Sequence, residues 1–154
     1  MKQPPTTRLG FLRILVVCLC ALAPALAAHA GEMKLEAQLI WGTNEDKSPD
    51  PKHKPIDPQV AKKLERLPIK WKHYYVVTVK QFTVAEGQTN KITMSKECDI
   101  AVKNVDGTNV ELQLIGKGKP AGKVTKGLGK GKCLVTGGDA ENFTAWFVFL
   151  KQVE

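Results

Sequence analysis

Two-residue alternation most constrains how this chain can fold. From Tyr74 to Lys151, apolar and β-branched residues recur at every second position in short runs, with turn residues between the runs. Successive side chains of a strand point to opposite faces, so the pattern calls for half-buried strands and not amphipathic helices. Strands are predicted at 33–41 (Leu35, Ala37, Leu39, Trp41), 74–84, 91–95, 98–104, 109–115, 133–136 and 144–151. Asp106-Gly107 carries the strongest short hairpin signal, Glu86-Gly87 breaks an earlier run, and Gly137-Gly138-Asp139 reads as a further turn. The run Ala145-Trp146-Phe147-Val148-Phe149-Leu150 is apolar at every position, which predicts a strand covered on both faces.

One helix interrupts the strands. Asp57 is placed to cap it, Pro58 occupies its first position, and Val60, Leu64 and Leu67 share a face before Pro68 ends it, giving a helix near 58–67. Pro49, Pro51, Pro55 and Pro58 make 42–58 a proline-rich, turn-prone segment. The expected fold is mainly β, an antiparallel β-sandwich or partly open barrel of seven or eight short strands with that single helix.

Residues 1–30 read as a cleaved secretory signal peptide. Lys2, Arg8 and Arg13 begin it, the apolar run Ile14–Ala28 follows, and Ala28-His29-Ala30 offers small residues to a peptidase before Gly31. Fifteen apolar residues fall short of the roughly 20 that a spanning helix needs. Residues 31–154 then form one β-rich domain with no further stretch of spanning length, and the expected location is periplasmic or extracellular.

Two cysteines remain in that domain, Cys98 and Cys133. An oxidising compartment favours pairing, and a bridge closing a loop of this size stabilises by roughly 3–4 kcal/mol on the chain-entropy model. A disulfide is therefore expected, with two separate buried thiols as the alternative. Neither cysteine has a second ligand at metal-binding spacing, so no metal or other cofactor is assigned.

Charge is concentrated in one place. The whole chain carries 23 Lys+Arg and 15 Asp+Glu, a formal balance of +8. Without the leader the balance is +5, and six of the remaining cations lie in Gly116–Lys132, where no acid occurs. Lys117, Lys119, Lys123, Lys126, Lys130 and Lys132 form the first candidate contact surface, suited to phosphate, carboxylate or sulfate groups. The alternative is that lysines guard an exposed strand edge while glycines mark loops, with Val124 and Leu128 packing part of the stretch onto the sheet. A second candidate contact is Lys70, Trp71, Lys72 and His73, within Ile69–Tyr75, where rings beside cations can stack on sugars or bases. Alternation would put Lys70 and Lys72 on one strand face and Trp71, His73 and Tyr75 on the other. The competing reading makes these rings a strand entry that closes the core beneath the helix.

No nucleophile–base–acid arrangement is evident in the sequence. The domain has two histidines, His53 and His73, and two serines, Ser48 and Ser95, with neither serine in a G-x-S-x-G turn. The glycines of 116–129 miss both the P-loop and the dinucleotide fingerprint. The expected function is that of an exported, non-catalytic binding or structural accessory module at the cell envelope, contacting anionic polymers through the lysine stretch. A protein-interaction or assembly component, or an inhibitor of an exported system, is the alternative, and a small hydrolase is the remaining class. Specific nucleic-acid recognition is not expected.

Overall fold

The computed structural model describes residues 31–68, 71–140 and 142–153, so the leader read at 1–30 and the candidate contact Lys70 lie outside the described residues. In chain order the elements are β1 Met33–Thr43, β2 Lys54–Pro55, α1 Pro58–Leu64, β3 His73–Val84, β4 Thr89–Thr93, β5 Cys98–Asn104, β6 Asn109–Gly116, β7 Lys119–Gly127, β8 Cys133–Asp139 and β9 Ala145–Gln152. They form two antiparallel sheets, one ordered β2-β3-β1-β9-β8 and the other β4-β5-β6-β7. The architecture is a β-sandwich of short strands with one short helix, and no barrel closes.

Alternation decides which residues meet between the sheets. Met33, Leu35, Ala37 and Leu39 of β1 point inward beside Val148 and Leu150 of β9 and Leu134 of β8. Ile100, Val102, Val110 and Leu112 of the second sheet close on them, and all these side chains are essentially without solvent contact. Removing apolar area from water at roughly 25 cal/mol per Å² makes this layer the main source of stability.

The first sheet has a second apolar face. Ile40, Phe147 and Phe149 point away from the sandwich centre and are covered by Val60 and Leu64 of α1. The helix starts as its sequence asks, with Asp57 Oδ1 accepting from the Gln59 amide at 2.7 Å and Pro58 in the first turn. It ends at Leu64, with Glu65 as C-cap, and Leu67 follows in a turn that still packs on the same cluster. β9 is thus a middle strand covered on both faces, as its unbroken apolar run requires.

Two expectations are corrected. Gly137-Gly138-Asp139 does not turn the chain but continues β8, and the Ala140 amide beyond it donates to the Thr144 carbonyl at 2.7 Å. A Cβ on Gly137 would collide with the Trp146 carbonyl oxygen and lie 2.7 Å from Phe147 Cα, so glycine here serves close strand approach. The lysine-rich segment contains a full strand, β7, at the sheet's edge, with Val124 and Leu128 packed inward as the edge-strand reading holds. The expected disulfide is absent, since Cys98 and Cys133 are free thiols. Cys98 packs into the core between the sheets, whereas Cys133 packs on the helix side of the first sheet. That sheet separates the two sulfurs.

Candidate functional site

The lysine stretch is built from a hairpin, an edge strand and a loop. β6 and β7 are joined by Lys117-Gly118, both with positive φ (48° and 76°), the geometry of a two-residue hairpin turn matching strand twist. β7 is the last strand of its sheet, and one of its edges has no strand partner. Val124 packs against the inter-sheet core and Leu128, just beyond the strand, is fully buried.

These anchors spread the six lysines instead of clustering them. Lys117 and Lys119 stand at the hairpin tip, and Lys130 and Lys132 in the loop to β8. The nine residues of β7 put its two ends about 26 Å apart. Lys123 lies on the outer face of the second sheet, where its Nζ is 3.0 Å from Glu111 Oε1. Lys126 reaches the other way and donates to the Cys133 carbonyl at 3.4 Å. Among the described residues, Lys117, Lys119 and Lys132 have no paired carboxylate. The sequence expectation of a cationic surface becomes a long cationic edge, with its middle partly engaged by the protein itself. The remainder of that outer face is mixed in charge, with Lys91 Nζ 3.1 Å from Asp99 Oδ2. Side-chain hydrogen bonds from Thr93 and then Lys91 hold the Asp99 carboxyl below its ordinary pKa.

The second candidate contact divides differently from its alternation. Regular pairing in β3 begins only at His73. Trp71 precedes the strand and turns to the helix side, packing with Tyr74, and its backbone amide donates to the Tyr74 hydroxyl at 3.1 Å. A Cβ on Gly42 would lie 3.0 Å from Trp71 Cδ1, so the bare glycine seats the indole against β1. His73 and Tyr75 occupy the opposite face. Trp71 and His73 are thus on different sides of the sheet. Together with α1, this segment borders a cleft of about 350 Å³.

Register also assembles an aromatic row that local pattern did not reveal. Tyr75 of β3, Trp41 of β1 and Trp146 of β9 are direct cross-strand neighbours. Their ring centroids are 6.0 Å (Tyr75–Trp41) and 6.4 Å (Trp41–Trp146) apart. His53, from the proline-rich segment, lies 6.1 Å from Trp41, which is only 6% exposed, while Trp146 is 37% exposed. Period two predicts an inward Trp41, but only strand pairing shows which rings stand beside it.

The same segment brings a serine, a histidine and an aspartate together. Ser48 Oγ is 2.7 Å from His53 Nδ1, and Asp50 Oδ2 is 3.8 Å from Nε2, beyond hydrogen-bond length. The Asp50 amide also points to Ser48 Oγ at 3.4 Å. These contacts brace a turn. Tyr75 donates to the Asp46 carbonyl at 3.3 Å, and His73 Nε2 lies 3.4 Å from Asp46 Oδ1, fastening the segment to β3. No family model, curated protein or solved structure matches the chain.

Proposed function

We propose that the protein is an exported, non-catalytic binding module of the cell envelope whose contact surface is the β7 edge. The observation that carries this reading is the arrangement of Lys117, Lys119, Lys123, Lys126, Lys130 and Lys132 along one edge strand and its flanking turns. An extended anionic polymer matches a line of charge better than a compact anion does. Such a contact depends on ionic strength, because exposed charges are screened beyond about 8 Å at physiological salt.

Retention on heparin and binding to lipopolysaccharide micelles at about 0.15 M salt test the reading. Joint Lys117, Lys119, Lys130 and Lys132→Ala substitution should abolish both, whereas Lys123→Ala should change little because Glu111 already neutralises that ammonium. Unchanged retention of the fourfold variant would refute the assignment. Export is tested by N-terminal sequencing of the protein from the extracytoplasmic fraction, which should begin at Gly31. A chain retained in the cytoplasm with its leader intact would refute it.

A protein contact is the second reading, and a separate observation favours it. Phe143 is 88% exposed in the turn before β9, close in sequence to the partly exposed Trp146. A pull-down that loses its partner on Phe143→Ser but not on the lysine substitutions would favour this reading over the polymer.

A further inference from the structure

The cleft between α1 and the start of β3 lies away from the β7 edge. It borders β2 and β3 on one side of the sandwich, whereas β7 and β8 form the other. On the helix side of the sheet it is lined by Trp71 and Tyr74 with Glu65 and Lys72; His73 and Tyr75 border it along the strand, but their side chains lie on the sheet's other face. The volume of about 350 Å³ lies at the lower end of small-ligand pockets.

The aromatic wall is fixed before any ligand arrives. Trp71 rests against Gly42, and the Tyr74 hydroxyl accepts from the Trp71 amide. The backbone at Lys72 is held as well, its amide donating to Asn44 Oδ1 at 3.2 Å. A wall already ordered by the fold spares a ligand the entropy of ordering it. The charged groups contrast with this fixed wall, because neither the Lys72 ammonium nor the Glu65 carboxylate is paired with an opposite charge among the described residues.

We propose that this cleft is a binding site for an acidic saccharide unit of the uronic-acid type. The apolar C–H face of a sugar ring packs on the Trp71 indole and the Tyr74 phenol. Glu65 accepts from ring hydroxyls, and Lys72 pairs with the sugar carboxylate. A charge-assisted hydrogen bond of this kind is about twice as strong as a neutral one. The site does not depend on the lysine edge binding anything.

The test is NMR titration of the ¹⁵N-labelled protein with digalacturonate, and with neutral galactobiose for comparison. Digalacturonate should shift the Trp71 indole N–H and the amides of 71–75 saturably. Galactobiose should bind about tenfold more weakly, and Lys72→Ala should weaken digalacturonate binding about tenfold, a change of about 1.4 kcal/mol. The fourfold lysine-edge variant should titrate like the parent protein. The proposal is overturned if no saturable shift occurs, if shifts are confined to 117–132, or if Lys72→Ala binds the acid as well as the parent. Equal affinity for the neutral sugar would also overturn the acidic specificity. Lys72 is exposed and its structural bond uses the backbone, so its replacement leaves the fold intact.

Discussion

Asn104 gives the sharpest test of how the sandwich is fastened. It is fully buried at the end of β5, a polar side chain in an apolar layer. Its Nδ2 donates to the Gly31 carbonyl and to the Val84 carbonyl at 3.0 Å, while Oδ1 accepts from the Gly107 amide at 2.8 Å. One amide group therefore ties the chain before β1, the end of β3 and the β5–β6 turn. Replacing Asn104 by alanine removes all three bonds and strands backbone groups that water reaches poorly. At roughly 0.5–1.5 kcal/mol each, the expected loss is about 2–4 kcal/mol. That is a large share of the roughly 5–15 kcal/mol that stabilises a typical domain. Urea unfolding followed by tryptophan fluorescence and circular dichroism should show a lower midpoint with an unchanged slope. Asn104→Asp should be worse than alanine at neutral pH, because a carboxylate would face two carbonyl oxygens. Acidification should narrow that gap, since the protonated acid can donate one bond. A loss below about 0.5 kcal/mol for the alanine variant would refute the bridging role, because substitutions without such a role fall in that range.

The Glu36 carboxyl is pushed up by burial, but hydrogen bonds from Gln81, Gln38 and Lys151 outweigh this and hold its pKa below the ordinary value. Its stabilising contribution is therefore complete above about pH 4.3 and lost as pH falls through the lower folded value, so acid should cost the parent protein more stability than Glu36→Gln. Equal acid sensitivity of the two in urea midpoints would contradict that assignment. Both thiols should alkylate in denaturant without prior reduction, and reductant should leave the unfolding midpoint unchanged. In the folded protein Cys98 should react slowly, since burial and then the Asp99 charge raise its pKa. Leu64→Ala should cost about 2–5 kcal/mol by opening the helix-side core, and Asp57→Ala about 1 kcal/mol by removing the cap. Calorimetry that found the two losses equal would mean the helix is not held by packing.

Much of the fold was legible because local rules and tertiary packing agreed. β5 needed only alternation and Asp106-Gly107, whose aspartate accepts from the amides of Thr108 and Asn109 to shape the turn. α1 needed only its cap, its proline and two leucine-spaced apolar positions. β7 was harder to read, since Lys119, Pro120, Gly122 and Lys123 contribute little apolar alternation and only Val124 marks an inward face. Its regular structure comes from pairing with β6, an interaction that local composition does not encode. The candidate surfaces show the same division. The run of lysines was visible as charge, but only the strand revealed that its ends stand far apart, with Lys123 and Lys126 already engaged.

By itself the sequence determined strand period, helix cap, concentration of charge and the apolar character of β9, because each depends on residues within one turn or a few strand positions. Tertiary structure alone decided that the cysteines lie on opposite sides of one sheet. It also decided that Tyr75, Trp41 and Trp146 stand in a row, and that Trp71 and Glu65 border one cleft. These relations depend on strand order and register between residues tens of positions apart. A one-residue slip in pairing would change every one of them while leaving the local pattern untouched.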